Sequence, residues 1–225
     1  AKETRVVQLT RETLFDQASG SRQQALFRVL PLQHRLLVAL PAVEELPWLR
    51  ASTIPEGAKV LTDLSRPGLS AEATSLTSDT GELMRDWQRG LFTIDTPRSQ
   101  GAVGWLGEAG PVTLADCTIR VTNPKAAVIL SSLDGRPLRQ SGRILVTAVA
   151  RAVGRRTRGG TVVSSEPVAA TLSLHRQGGA LVLVPLAGNG DPGAPVPGSG
   201  RNGAVDFVLP ADQNTHWFLL KSEER

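Results

Sequence analysis

The chain has no tyrosine, one cysteine and four tryptophans in 225 residues, and aromatic residues make up 4% of it. Each scarcity excludes something. With Cys117 alone there is no intrachain disulfide and no cysteine-based zinc site. Its expected role is that of a buried small hydrophobe. The compartment stays open on this count, because an exported bacterial protein without disulfides is as permissible as a cytosolic one. No run of 18 or more apolar residues occurs, so no transmembrane helix is expected. The thin aromatic supply argues against a dedicated sugar platform and against base stacking on nucleic acid. Lysine is scarce too. Lys2, Lys59, Lys125 and Lys221 are the only ones, so arginines dominate the net charge of +4. The start, Ala1-Lys2-Glu3-Thr4, carries no initiator Met and no signal-peptide pattern, and it reads as a boundary within a longer polypeptide.

What is present is ordinary for a globular protein: 40% hydrophobic and 20% charged residues, enough for one large domain or two modest ones. Residues 1–57 look mixed, an α/β lead-in or interdomain connection. Arg5 to Leu9 and Arg35 to Leu40 have strand character, and Ser21 with Gln24 fits a capping box opening a helix that Pro31 ends. From residue 58 to 225 the pattern is mainly β. Lys59 to Thr62 is its expected first strand. Glu82 to Trp87 and Leu91 to Asp95 flank Gln88-Arg89-Gly90 as a hairpin, with Phe92 and Ile94 alternating against Thr93 and Asp95. Short strands then follow at close spacing to His216–Leu220, which predicts an antiparallel β-sandwich. The Gly/Pro-dense stretch 188–203 predicts a long, mobile hairpin loop.

The search for chemistry is mostly negative. Asp79-Thr80-Gly81 spells the aspartic-protease tripeptide, but it occurs once, follows Thr77-Ser78 and precedes Glu82. A third carboxylate beside the dyad would spoil its shared proton, so a turn is the better reading. There is no nucleophile elbow, P-loop or dinucleotide fingerprint. His34, His175 and His216 have no partner at metal-ligand spacing. Glu82 and Asp86 share one strand face but read as solvent-facing. No cofactor is expected. Asp134 and Asp191 stand in loops where structural calcium could be held, yet without multi-aspartate spacing. Seven arginines (Arg136, Arg139, Arg143, Arg151, Arg155, Arg156 and Arg158) come without an acidic residue among them. They read either as an anion-binding stripe or as a strand running into a solvated hairpin tip. Among the tryptophans, Trp105 and Trp217 look like core or interface residues. Trp48, after Pro47, and Trp87, at the hairpin, are the better candidates for exposure.

The run Ser78-Asp79-Thr80-Gly81-Glu82-Leu83, then Asp86-Trp87, then Gly90 to Gly101, resembles a segment of bacterial glycoside-hydrolase-like proteins. That segment lies in the β-rich region after their (β/α)8 catalytic barrel. The resemblance continues through Leu114 to Ile119, Val128 to Leu138 and Ser141 to Val149, and closes at Phe207 to Asp212 and Thr215 to Leu220. It covers about residues 58–220. It implies a non-catalytic accessory domain of a carbohydrate-active enzyme that packs on the catalytic barrel of the same polypeptide, binds polysaccharide, or both. A stand-alone carbohydrate-binding module is the alternative, and a glycoside hydrolase in its own right the lesser one. The family's catalytic carboxylates belong to the barrel, for which the chain is too short. No catalytic residue is therefore expected here. Trp87, Trp48, Arg98, Gln100 and Asp95 are the candidate sugar contacts. Nucleic acid and membrane are not expected partners, and the implied setting is secreted or periplasmic, with a cytoplasmic one left open.

Overall fold

The structure is a computed structural model that describes residues 5–10, 29–33, 35–39, 59–61, 72–176, 179–200, 203–210, 212 and 215–222. The chain divides into two compact units, Ala1–Arg85 and Asp86–Arg225.

In the first unit, β1 (Arg5–Thr10), β2 (Arg35–Ala39) and β3 (Lys59–Leu61) form a parallel sheet in the order β2-β1-β3. Parallel neighbours need a long connection, and residues 11–34 stand between β1 and its neighbour β2 in the chain. Lys59–Leu61, expected to open the sandwich, instead pairs with Arg5–Val7. Three residues carry too little alternation to distinguish a parallel edge from an antiparallel one. Residues 29–33 are helical, with Pro31 among them and not beyond them. The unit ends with β4 (Ser75–Thr77), a turn, and β5 (Leu83–Asp86) at its border. Asp79-Thr80-Gly81 makes that turn. Gly81 N donates to Ser78 O at 2.9 Å, Leu83 N donates to Ser78 Oγ at 3.0 Å, and Gly81 has φ of 75°. Glycine takes that left-handed conformation without a Cβ penalty.

The second unit is the sandwich. It runs β6 (Leu91–Asp95), β7 (Ser99–Gly104), α1 (Leu106–Ala109), β8 (Val112–Thr113), β9 (Cys117–Val121), β10 (Ala126–Ser132) and β11 (Arg143–Val149). It continues with β12 (Ala152–Thr157), β13 (Gly160–Ser165), β14 (Ala170–His175), β15 (Leu181–Leu186), β16 (Val196–Pro197), β17 (Ala204–Val208) and β18 (Trp217–Ser222). Within this unit the larger sheet has the order β16-β15-β18-β11-β10-β7-β6, and the smaller β17-β14-β9-β8. Every pair among them is antiparallel.

Alternation builds the core. In β11 the burial runs exposed, buried, half-buried, buried, half-buried, buried, exposed from Arg143 to Val149. Successive side chains point to opposite faces, so Ile144, Val146 and Ala148 face inward beside Leu130, Val128, Phe218 and Leu220. From the smaller sheet, Cys117, Ile119, Leu172, Leu174 and Phe207 are buried in turn. Burying each Leu, Ile, Val or Phe fully is worth about 1.5–3 kcal/mol.

The outer sides differ. On the larger sheet the register lines up Phe92, Val103, Ala127 and Val149, then Ile94, Gly101, Ile129, Thr147, Trp217 and Leu186. A third row runs Ser99, Ser131, Leu145, Leu219 and Val184, and Arg143, Lys221 and Val182 form a basic rim. On the smaller sheet the outer rows are Thr113, Thr118, Ser173 and Asp206, and Arg120, Thr171 and Val208, with His175 beside Ala204.

Two stretches depart from expectation. The strand from Arg143 and the hairpin tip at Arg158 are both present, but β11 stops at Val149 and the tip belongs to a separate two-stranded ribbon, β12 and β13. The Gly/Pro stretch is stitched to its neighbours. Val196–Pro197 pairs with β15, Gly193 N donates to Pro185 O at 2.7 Å, and Ser199 bridges to Asp206.

Candidate functional site

Of the five candidate sugar contacts, Asp95, Arg98 and Gln100 lie together around the β6–β7 turn, and Trp87 lies beyond the other end of β6. Trp87 lies in the turn before β6 and Asp95 at its far end, and the five-residue strand between spans about 14 Å at a rise of ~3.4 Å per residue. Trp87 is half-buried. Trp48 lies outside the described residues. Arg98 is exposed in the turn between β6 and β7, where its carbonyl accepts from Ser132 N at 2.9 Å. Gln100 has no exposed surface and cannot touch a sugar. Its carboxamide serves the fold: Oε1 accepts from Asp116 N at 3.0 Å, and Nε2 donates to Thr96 O at 3.4 Å. Asp95 is half-buried, and both its oxygens accept from Ala115 N at 3.2 Å. Asp95 and Gln100 face each other across β6 and β7. They tie the larger sheet to the loop that leads into β9.

The exposed tryptophans are the other pair. Trp105 is 41% and Trp217 43% exposed. Trp105 escapes the core because β7 ends at Gly104, whose φ of 133° breaks the alternation. The ring lies on the hairpin turn, where a Cβ at Gly90 would sit 2.2 Å from Trp105 Cδ1. Lys125 Nζ lies 3.9 Å from the ring centroid, a cation–π contact. Trp105 is thus flanked at its edge by the turn and over a face by an ammonium. Trp217 lies opposite Thr147 on the outer row of the larger sheet.

Of the histidines, His216 has the most definite surroundings. Its Nδ1 is 3.1 Å from Ala148 O, which can only accept, so neutral His216 carries its proton there. Nε2 then accepts from Ser165 Oγ at 2.9 Å. This has the form of a nucleophile, a base and an orienting acceptor. The adjacent amide of Glu166 is committed to Arg151 O at 2.8 Å, so it does not stand ready for an oxyanion. Asn123 Nδ2 donates to Glu166 Oε1 at 3.0 Å and to Pro167 O at 2.9 Å. These contacts fasten the root of the ribbon.

Asp134, one of the two loop aspartates weighed for calcium, is occupied by protein donors. Oδ1 accepts from Ser132 Oγ at 2.9 Å, Ser141 Oγ at 2.8 Å and Arg136 N at 3.2 Å, and Oδ2 from Gly142 N at 2.9 Å. Partial desolvation would raise its pKa, but the bonds from Gly142, Ser141, Ser132 and Arg136 outweigh it and hold the carboxyl well below the usual range. Asp191 accepts from Asn189 Nδ2 at 2.6 Å. Among the described residues no group of three or more His, Cys, Asp or Glu side chains is placed to hold a metal ion. Cys117 is buried, and its thiol is pushed up to about 12 by that burial, with Asp95 and Asp116 adding to it. A thiol so placed is inert.

The ribbon is rich in arginine. All residues of β12 and β13 are exposed, with Arg155, Arg156 and Arg158 at or beside its tip. No helix among the described residues is long and apolar enough to cross a membrane. Compared with known proteins, the chain matches no family model, no curated protein and no solved structure.

Proposed function

We propose that the sandwich is a non-catalytic accessory domain of a bacterial, exported carbohydrate-active enzyme, packing through the outer side of its larger sheet on a catalytic (β/α)8 barrel of the same polypeptide. The observation that carries this reading is the composition of that side. An antiparallel sheet that meets water on one face alternates apolar with polar residues. Here Phe92, Ile94, Val103, Ile129, Leu145, Leu219 and Leu186 stand on the outer side with Trp217. A largely apolar face rimmed by charge, here Arg143 and Lys221, is the mark of a docking surface. The resemblance to the region after a glycoside-hydrolase barrel supplies the partner's identity.

The test is made on the purified chain. ANS fluorescence should rise on binding the wild type and fall strongly in Leu145→Asp, with the far-UV spectrum unchanged. In a polypeptide that also carries the barrel, Trp217 should become protected from acrylamide quenching. Absence of ANS binding by the wild type would overturn the reading. So would hydrolysis of a glycan by the chain that a carboxylate substitution abolishes.

A further inference from the structure

We propose that the β12–β13 ribbon is a docking arm for an acidic polysaccharide, gripping carboxylates with Arg155, Arg156 and Arg158. The proposal rests on the carbohydrate-active reading above for the choice of a glycan, but on separate residues for its geometry.

A two-stranded ribbon with no third strand is marginally stable in water, and this one is exposed along both strands. It is nevertheless held at its root. Asn123 Nδ2 donates to Glu166 Oε1 at 3.0 Å, and Ser165 Oγ is tied to His216 at 2.9 Å. The arm is thus positioned by the sandwich while its length stays free for a partner. The charge is of one sign. No acidic residue occurs from Gly135 to Ser165, and the nearest, Glu166, is at the root, 4.0 Å from Arg151. A hairpin needing only solvation gains nothing from adjacent like charges, whereas a polyanion offsets their repulsion.

The register decides what kind of polyanion. Arg155 lies opposite Val162, and Arg156 opposite Thr161, so neighbouring arginines project to opposite faces of the ribbon. A duplex meets one face of a ribbon and needs many more phosphate contacts than this arm offers for useful affinity. Single-stranded nucleic acid needs aromatic platforms, and the arm contains no aromatic residue. A membrane surface would call for Trp, Phe or Leu on one side; the arm has only valines in their place, Val153 and Val162 on one face and Val163 on the other. A thin chain bearing carboxylates can run across the tip and meet both faces, and guanidinium pairs with carboxylate in a two-bond fork.

The experiment is affinity electrophoresis of the whole chain in gels containing polygalacturonate, alginate or hyaluronate, with neutral xylan and galactomannan beside them. A 30-mer DNA duplex, its single strand, and anionic lipid vesicles serve as competitors. At least one acidic glycan should retard the wild type, the neutral glycans should not, and retardation should fade with salt. The triple variant Arg155→Gln, Arg156→Gln, Arg158→Gln should bind at least tenfold more weakly. Arg120→Gln, on the outer side of the smaller sheet, should bind as the wild type does. The proposal is overturned if no acidic glycan retards the wild type, if the triple variant is retarded equally, or if DNA or vesicles bind more tightly than every acidic glycan. Failure of the docking face is read separately, because Leu145→Asp reports on that face through ANS and the arginine triple does not.

Discussion

Across the outer side of the larger sheet, Ile94, Ile129, Thr147, Trp217 and Leu186 follow one another from strand to strand. Across that of the smaller sheet the corresponding row is Thr113, Thr118, Ser173 and Asp206. Both rows sit on antiparallel strands above the same core, so backbone geometry does not explain the difference. The smaller sheet shows the composition of a surface that ends at water: hydroxyls beside one another, an arginine, an aspartate. The larger sheet shows a composition that water does not reward. Val184, on that side, is 2% exposed and so is already covered within the chain. The contrast separates a polar wall from an apolar one within one sandwich, and substitutions on the two walls should behave differently.

The largest effect calibrates the comparison. Leu130 points inward with no exposed surface, whereas Leu145 points outward and is half-buried. Leu130→Ala should cost about 2–5 kcal/mol by transfer and cavity terms, and Leu145→Ala about 1 kcal/mol by its smaller burial. Urea unfolding of the two variants measures both. Equal costs would mean that the outer wall is as fully covered as the core, and the contrast with the smaller sheet would lose its meaning. Next comes a charge on each wall. Leu219→Asp should cost about 1–2 kcal/mol and remove most ANS binding. Ser173→Asp, on the opposite wall, should change stability by less than about 0.5 kcal/mol and leave ANS binding alone. If Ser173→Asp proves as damaging, the smaller sheet also carries a covered face.

That same contrast explains how far the sequence was readable. The period-two alternation of Leu91 to Asp95 and the turn chemistry around Gly90 made the antiparallel sheets legible. The phase was not. Phe92 and Ile94 look like the core side of β6, yet Leu91 and Thr93 are the buried ones. On a sheet apolar on both sides, hydrophobicity cannot identify the inner face. The run Trp217-Phe218-Leu219-Leu220 has the same ambiguity, which left Trp217 open between core and interface by expectation; it stands on the outer wall, 43% exposed. Gln100 read as a polar surface residue beside Arg98, because its buried bonds to Asp116 and Thr96 are set by chain crossings that local sequence does not encode. The parallel pairing of Lys59–Leu61 with β1 is likewise non-local. The ribbon's arginines were visible as a one-signed stretch. Its separation from β11 needed the structure.

A third effect concerns the loop that joins β10 and β11, two long central strands of the larger sheet. Asp134 lies between β10 and β11, and its native pKa is depressed, so its contribution is complete above the unfolded-state value of roughly 3.9 and is lost as pH falls below that. Asp134→Asn should cost about 1 kcal/mol at neutral pH, a modest figure because the side chain is exposed. The variant should also show a flatter loss of stability below about pH 4 than the wild type. Parallel pH curves for the two proteins would refute the carboxylate's role in closing that loop.

The smallest effect tests whether exposed tryptophans on this domain are alike. Trp105 is held by a cation at 3.9 Å and by the hairpin turn beneath it, whereas Trp217 stands in an apolar row. Lys125→Gln removes the cation–π contact and should cost about 0.5 kcal/mol, the usual worth of such a pair at an exposed site. It should shift the quenching of Trp105 while leaving that of Trp217 unchanged, which single-tryptophan backgrounds would resolve. Gly90→Ala should be costlier than this, because its Cβ would collide with the indole and its φ of 60° disfavours any side chain. If both substitutions left Trp105 fluorescence as it was, the ring would be free to serve as a platform, and the separation between a braced tryptophan and a docking tryptophan would fail.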